Sequence, residues 1–563
     1  MQRFVLLSAA AILLAHASAS AQLPEVVLGP GLNSGRTPFN QNYDRVLSSD
    51  TAYVLTGLYY VDSTYSLTIP AGTVIFGDTA ATLVISRGAQ IFAQGTAGNP
   101  VIFTSNKAPG DRAPGDWGGI IILGEAPLNK VNPSIEGGII GGSYGGTDPD
   151  DNSGVFAYVR IEYPGYRFQI NNEVNGLTMG GVGRGTELHH VQVSYSFDDS
   201  YEWFGGTVNA SHLIAFGGTD DEFDSDFGWT GKVQFAFGLR DENVWDANGE
   251  SNGFESDNDG SSTSTDQPWT EPIFSNVTLV GPARTNAMVG NLPIGNKFQY
   301  SAVIRRSSRL KVFNSVITGY PWGLSIRDVN TIAAATSDTL QIRNLSLTAD
   351  LQPSGSGSVH DEGRWAGVTA WFNTPAYGNA SSVIRFPVAV GLTNMENLNA
   401  PNPVPAAGSE LIGSADFSSP YLASGFATTT YRGAFDPEKS MGQQWTAGWT
   451  NFNPQNTDYN VTPPTTDVEI VLGEVPVSFA LEQNYPNPFN PTTTIRFSLP
   501  ARDIVTLKIY NVLGQEVATL VNGELLAGRY EATFNASALA SGMYLYRLQG
   551  QTFSQTMKMM LVK

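Results

Sequence analysis

From Thr51 onward the chain is a succession of short β-prone runs cut by turn residues, and this texture limits what it can fold into. Leu67-Thr68-Ile69, Thr73-Val74-Ile75-Phe76, Leu83-Val84-Ile85, Gln90-Ile91-Phe92 and Val101-Ile102-Phe103 follow one another. Gly72, Gly77, Gly88, Gly95 and Gly98 lie between them. Further on, Val191-Gln192-Val193, Leu213-Ile214-Ala215-Phe216 and Val233-Gln234-Phe235-Ala236-Phe237 recur 20–22 residues apart, and the runs at 277–280 and 310–313 share the pattern. No window carries a 3.6-residue apolar period, so the body is all-β. Three short strands per coil, joined by Gly and Asn turns, describe a right-handed parallel β-helix. The chain has 563 residues, large for one compact core. A solenoid avoids that limit because each coil packs only on its neighbours.

Both ends suggest export. Arg3, the apolar run Phe4 to Ala15 and the small residues Ala19-Ser20-Ala21 read as a secretory signal peptide over 1–21, with mature protein from about Gln22. That run is too short to span a bilayer, and no longer one follows, so the mature chain is expected not to be membrane-spanning. Cysteine is absent, which excludes disulfides, thiolate metal sites and Cys nucleophiles. The net charge of −20 excludes a basic nucleic-acid footprint. It suits cation binding and equally an ordinary solvated surface.

The body is assigned to 22–445, with a polar leader or cap over 22–50 and a less regular part from 329. Residues 446–474, including Thr462-Pro463-Pro464-Thr465-Thr466, read as a semi-extended linker. Over 475–563 the alternation is clean: Ile495/Phe497/Leu499, Val505/Leu507/Ile509, Tyr530/Ala532/Phe534, Tyr544/Tyr546/Leu548 and Met557/Met559/Leu561. Six or seven half-buried strands in so short a stretch imply a small immunoglobulin-like β-sandwich.

The sharpest chemical signal is an offset of 22. Asp198-Asp199-x-x-Glu202 maps onto Asp220-Asp221-x-x-Asp224. If one coil is 22 residues, these carboxylates stack about 4.8 Å apart and need cations, protonation or outward splay. Calcium is the expected partner because it takes six to eight oxygens in flexible geometry. Asp226, Asp241 and Glu242 could extend the set. A second acidic stretch, Glu255-Ser256-Asp257-Asn258-Asp259-Gly260 with Asp266 at the twelfth position, nearly matches an isolated calcium loop. Its other reading is a plain Asp/Asn/Ser/Gly loop. The aromatics beside these acids (Tyr201, Trp203, Phe204, Phe223, Phe227, Trp229, Trp245, Phe254) suit either a buried stack or a sugar platform, the core being favoured. His190 and His212 are also 22 apart; the structural reading outweighs a metal site.

Two catalytic schemes fit the residue types. A lyase would use calcium and a basic residue from Arg305, Arg306, Arg309 and Lys311. A hydrolase would use a carboxylate pair from 198/199 and 220/221. No zincin helix, phosphate loop or dinucleotide fingerprint is present.

The tail opens on Asn484-Tyr485-Pro486-Asn487-Pro488-Phe489-Asn490-Pro491 and closes with Gly542-Met543-Tyr544 and a basic, Met-rich strand. It resembles the C-terminal sorting domain of type IX secretion cargo in Bacteroidota-like bacteria. The resemblance implies the type IX machinery as partner and a secreted or outer-surface location. Trp117-Gly118-Gly119-Ile120, Asp150-Asp151-Asn152-Ser153-Gly154 and Glu202-Trp203-Phe204-Gly205-Gly206 resemble secreted bacterial β-helix proteins. The expected function is therefore a secreted or surface structural protein that binds glycan or matrix, with calcium-dependent stability. A β-helical polysaccharide lyase or glycoside hydrolase is the alternative.

Overall fold

The runs read from the sequence become strands of two parallel sheets wound round a shared core. The computed structural model describes Leu23 and residues 25–169, 172–246, 251–261, 263–285, 288, 298–348, 365–381, 387–459, 468–471, 478–500, 503–512, 516–525, 528–536, 539–550 and 553–563. The expected signal peptide and most of 460–474 lie outside them.

In the body, one long sheet orders Glu25–Leu28, Ala52–Leu55, Val74–Gly77, Val101–Ser105, Gly154–Glu162, Glu187–Ser194, Ala210–Phe216, Lys232–Leu239, Ile273–Val280, Lys311–Thr318, Gln341–Thr348 and Ala380–Ser381. The second orders ten strands from Pro38–Gln41 to Trp322–Ile326. Every pair along these two paths is parallel, with Tyr53 over Val26 and under Ile75, and Phe223 over Tyr201. The expected leader is thus the first coil: Glu25–Leu28 pairs with Ala52–Leu55 and Pro38–Gln41 with Leu58–Val61.

Early coils carry three short strands, as in Ala52–Leu55, Leu58–Val61 and Ser66–Pro70. From Gly154 two of the three fuse. Gly154–Glu162 pairs its first half with Gln90–Gln94 and its second with Val101–Ser105. The bend between the halves is one left-handed residue, Tyr158 at φ 51°. His190, His212, Phe235, Asn276, Asn314 and Asn344 occupy the same place in the next six coils, with φ between 49° and 61°. Asn tolerates this conformation. For an aromatic residue such as Tyr158 or Phe235 it costs on the order of 1–2 kcal/mol. Ring stacking offsets that: Tyr158 on His190 at 4.3 Å, His190 on His212 at 4.3 Å and His212 on Phe235 at 5.0 Å.

The interior is apolar and aromatic. Tyr201, Trp203, Phe223, Trp229 and Phe254 are at most 1 % exposed, and Trp203 stacks on Trp229 at 4.2 Å. These five aromatics are core, not a sugar platform.

Residues 387–458 return along the long sheet and are gripped by side-chain amides that act as mock peptides. Gln192 donates to the Asn451 carbonyl and accepts its N–H. Gln234 does the same with Ala427, and Asn314 with Asp416. The expected linker therefore needs correcting at both ends. Trp449 is fully buried, and Arg112 donates to the carbonyls of Pro454 and Thr457 at 2.8 and 2.9 Å. The body unit extends to Asp458. Val468–Val471 pairs with Gly528–Asn535, so the tail's pairing begins before 475.

The tail unit has two four-stranded antiparallel sheets. Their inward residues, among them Ile495, Phe497, Leu507, Tyr546 and Leu548, form one core.

Candidate functional site

Alternation along Tyr201–Phe204 sends Tyr201 and Trp203 inward, leaving Glu202 on the outer face of the second sheet. Asp224 lies opposite Glu202, and Glu255 opposite Asp224. The turns before these strands bring Asp198 and Asp199 beside Asp220 and Asp221, and the Asp221 N–H donates to Asp199 Oδ1 at 2.8 Å. The 22-residue offset is thus one coil.

Two triads have ligand oxygens that all lie within 4.8 Å of one another: Asp198, Asp199 and Asp220, and Asp199, Glu202 and Asp224. Asp199 is common to both. Asp221 is not in either triad; its Oδ1 accepts the Asn252 N–H at 2.6 Å. The triads line a cleft of about 470 Å³ and an adjoining hollow of about 220 Å³. Glu136, Glu173, Asp246 and Glu255 add to the acidic wall, against Arg167, Arg305 and Arg306. Burial first, and neighbouring carboxylates second, push Asp198, Asp199, Glu202, Asp220 and Asp224 well above the usual carboxylate range. Of the three alternatives, outward splay is not the one taken by Asp199, Glu202 and Asp221, only 4–7 % exposed, while Asp198, Asp220 and Asp224 are half-buried.

The acceptors are not all used within the protein. Asp224 Oδ1 and Asn175 Oδ1 are buried without a hydrogen-bond partner, and Asn175 is 1 % exposed. Asn175 Nδ2 meanwhile bridges Glu136 and Glu202. This set of hard oxygens, with orphan acceptors among them, fits an oxygen-liganded divalent cation.

A buried scaffold shapes the acidic turn. Arg240, 0 % exposed, donates to the carbonyls of Gly218, Thr219, Asp220 and Asn252 and pairs with Glu222. Tyr320 Oη donates to Glu222 at 2.9 Å. Burial raises Glu222 to about 7 against the pull of Arg240.

The second acidic stretch is not an isolated calcium loop. Asp257 is forked by Arg305 at 2.9 and 3.1 Å and by Arg306 at 2.5 Å, and Arg305 also binds Glu255. Asp259 accepts the Ser261 N–H and lies 3.4 Å from Lys130. The chain's own cations take both carboxylates, and Glu255 belongs to a strand. Asp226, Asp241 and Glu242 also stay apart: they accept from Phe227 N, Asn243 N and Arg284 respectively. His190 and His212 form the ring stack already described.

Sequence reasoning missed Glu136, Arg167, Glu173 and Asp246, which arrive from longer segments between coils and leave no trace in a pattern of period 22. It also missed Asn175, which precedes Leu177 as Asp199 precedes Tyr201 and so holds the same turn position one coil earlier.

A family model described as a pectate-lyase-like β-helix domain matches residues 39–375. A second, described as a secretion-system C-terminal sorting domain, matches 483–563. No curated protein matches the chain. Among the described residues no helix is long and apolar enough to cross a membrane.

Proposed function

This chain belongs to the pectate-lyase-like β-helix family and carries a type IX sorting tail, and from that premise we propose that it is a surface glycan-binding protein whose cleft is completed by calcium. The sorting tail makes it a secreted or cell-surface protein and implies interaction with the type IX machinery. The reading rests on one observation: five carboxylates in two triads share Asp199, beside buried acceptors on Asp224 and Asn175 that no protein donor satisfies. Asp198, Asp199, Asp220, Glu202 and Asp224 would hold the cation. Once bound, it would supply positive charge to a wall otherwise repellent to anions, and so a bridge to an acidic or polyhydroxylated glycan. Arg305 and Arg306 face the same cleft.

That shared cleft also favours a second reading, a polysaccharide lyase. Arg305 is a poor proton acceptor, because Glu255 and Asp257 outweigh its burial and hold it firmly protonated. The binding reading therefore stands first. Titrating the purified protein with a panel of polysaccharides, with calcium and with EDTA, tests it. Calcium-dependent binding without new reducing ends or ultraviolet absorbance from unsaturated uronates supports it. Turnover of any polymer moves the assignment to the enzyme, and no binding to any polymer removes the glycan partner.

A further inference from the structure

The turn 305–309 serves two separate hollows. Arg305 and Arg306 line the acidic cleft, whereas Arg309 lines another of about 310 Å³, with the helix Val329–Thr336 along one side. The two arginine environments differ sharply. Arg305 and Arg306 are tied to Asp257, Arg240 to Glu222 and Arg284 to Glu242. The Arg309 side chain makes no ion pair or hydrogen bond among the described residues. The acid nearest to it in charge, Glu271, already accepts from Lys311 Nζ at 3.1 Å.

Arg309 is nevertheless held in place. Its guanidinium lies 3.9 Å over the Trp269 ring. Such a contact orients the planar fork while leaving its edge free to donate. Burial, only partly opposed by Glu271, lowers its pKa, as expected of a cation without a counter-ion. Thr265, Asn330 and Thr339 place a polar rim around it. In a chain of net charge −20, an oriented guanidinium without an ion pair, in a concave hollow walled largely by Trp269, Ala333 and Ala334, is matched by an anion. The volume is at the small end for ligand pockets, enough for one sugar ring.

We propose that this hollow binds a single anionic sugar residue, its carboxylate or sulfate ester forked by Arg309 and its ring held between Trp269 and the polar rim. The site is separate from the cleft and needs no metal.

Calorimetric titration of the full chain in EDTA, with sodium glucuronate, glucose and sodium sulfate as probes, tests it. Glucuronate and sulfate should bind saturably, and glucose at least about tenfold more weakly. Arg309→Gln should abolish both anions. Arg309→Lys should weaken glucuronate more than sulfate, since a point charge replaces the fork. Arg309 makes no ion pair, so Arg309→Lys should melt as the wild type does and Arg309→Gln only slightly lower, through its lost contact with Trp269. Tighter glucuronate than sulfate assigns a uronate, and the reverse a sulfated sugar. Equal binding of glucose, an Arg309→Gln protein that titrates like wild type, or no saturation by about 50 mM anion overturns the proposal.

Discussion

Replacing Asp199 by Asn should change stability in opposite directions with and without calcium. Asp199 is the acid common to both triads, and its ligand oxygen lies within 4.8 Å of those of Asp198, Asp220, Glu202 and Asp224. One like-charge pair at that distance costs about 1 kcal/mol in bulk water and about 3 kcal/mol at an effective dielectric of about 20. Raised proton affinities relieve part of this in the cation-free protein, so neutralising Asp199 should return about 1–3 kcal/mol in EDTA. Asn keeps the Oδ1 that accepts the Asp221 N–H, so the turn is not deprived of its acceptor. In calcium at a thousandfold excess over Kd the wild type gains about 4.1 kcal/mol, more than the ~1–3 kcal/mol by which the variant starts ahead, and the variant loses most of that gain. By size scaling, about 1–2 °C of melting temperature per kcal/mol applies to a body this large. Asp199→Asn should then melt about 1–6 °C above wild type in EDTA and below it in calcium. A variant that melts lower by the same amount in both buffers would refute the reasoning, because Asp199 would then be a structural acceptor only.

Burial, then the neighbouring histidines, brings His190 down to about 2, and burial with His189 brings His212 down to about 4. Folded values below the unfolded one of about 6.5 mean that their contribution is complete above pH 6.5 and is lost as pH falls. His212→Phe keeps the stack and should flatten the acid limb of the melting profile between pH 6.5 and 4; an unchanged limb would count against a neutral stack. Trp203→Ala removes a fully buried ring and should cost about 3–5 kcal/mol, read by denaturant unfolding of the body, and a loss below about 1 kcal/mol would contradict the aromatic core. A chain ending at Asp458 should accumulate in the periplasm with its body folded; normal export would remove the sorting role of the tail.

The coil period was legible because two acidic turns of the same pattern sit one coil apart, and Glu202 does lie over Asp224. The apolar alternation of the tail was legible for the same reason: period two needs only local sequence. What was hidden depends on contacts between distant segments. Residues 255–266 look like a calcium loop until Arg305 and Arg306, about 50 positions on, take Asp257. Residues 446–458 look like a linker by composition, yet Trp449 is buried and Gln192 pairs with Asn451. The left-handed corner was invisible because none of its first four occupants, Tyr158, His190, His212 and Phe235, is Gly or Asn, and Tyr and Phe disfavour that conformation. Glu136 comes from a longer segment between coils, and Asn175, one coil before Asp199, was hidden because it is an amide in a column read only for acids.

Cation binding itself bears most directly on the account. Equilibrium dialysis of the chelator-stripped full chain against radioactive calcium should give saturable binding that is retained in Asp257→Asn and lost in the double variant Asp199→Asn, Asp224→Asn. Equal binding by wild type and double variant, or none by either at millimolar calcium, would contradict it.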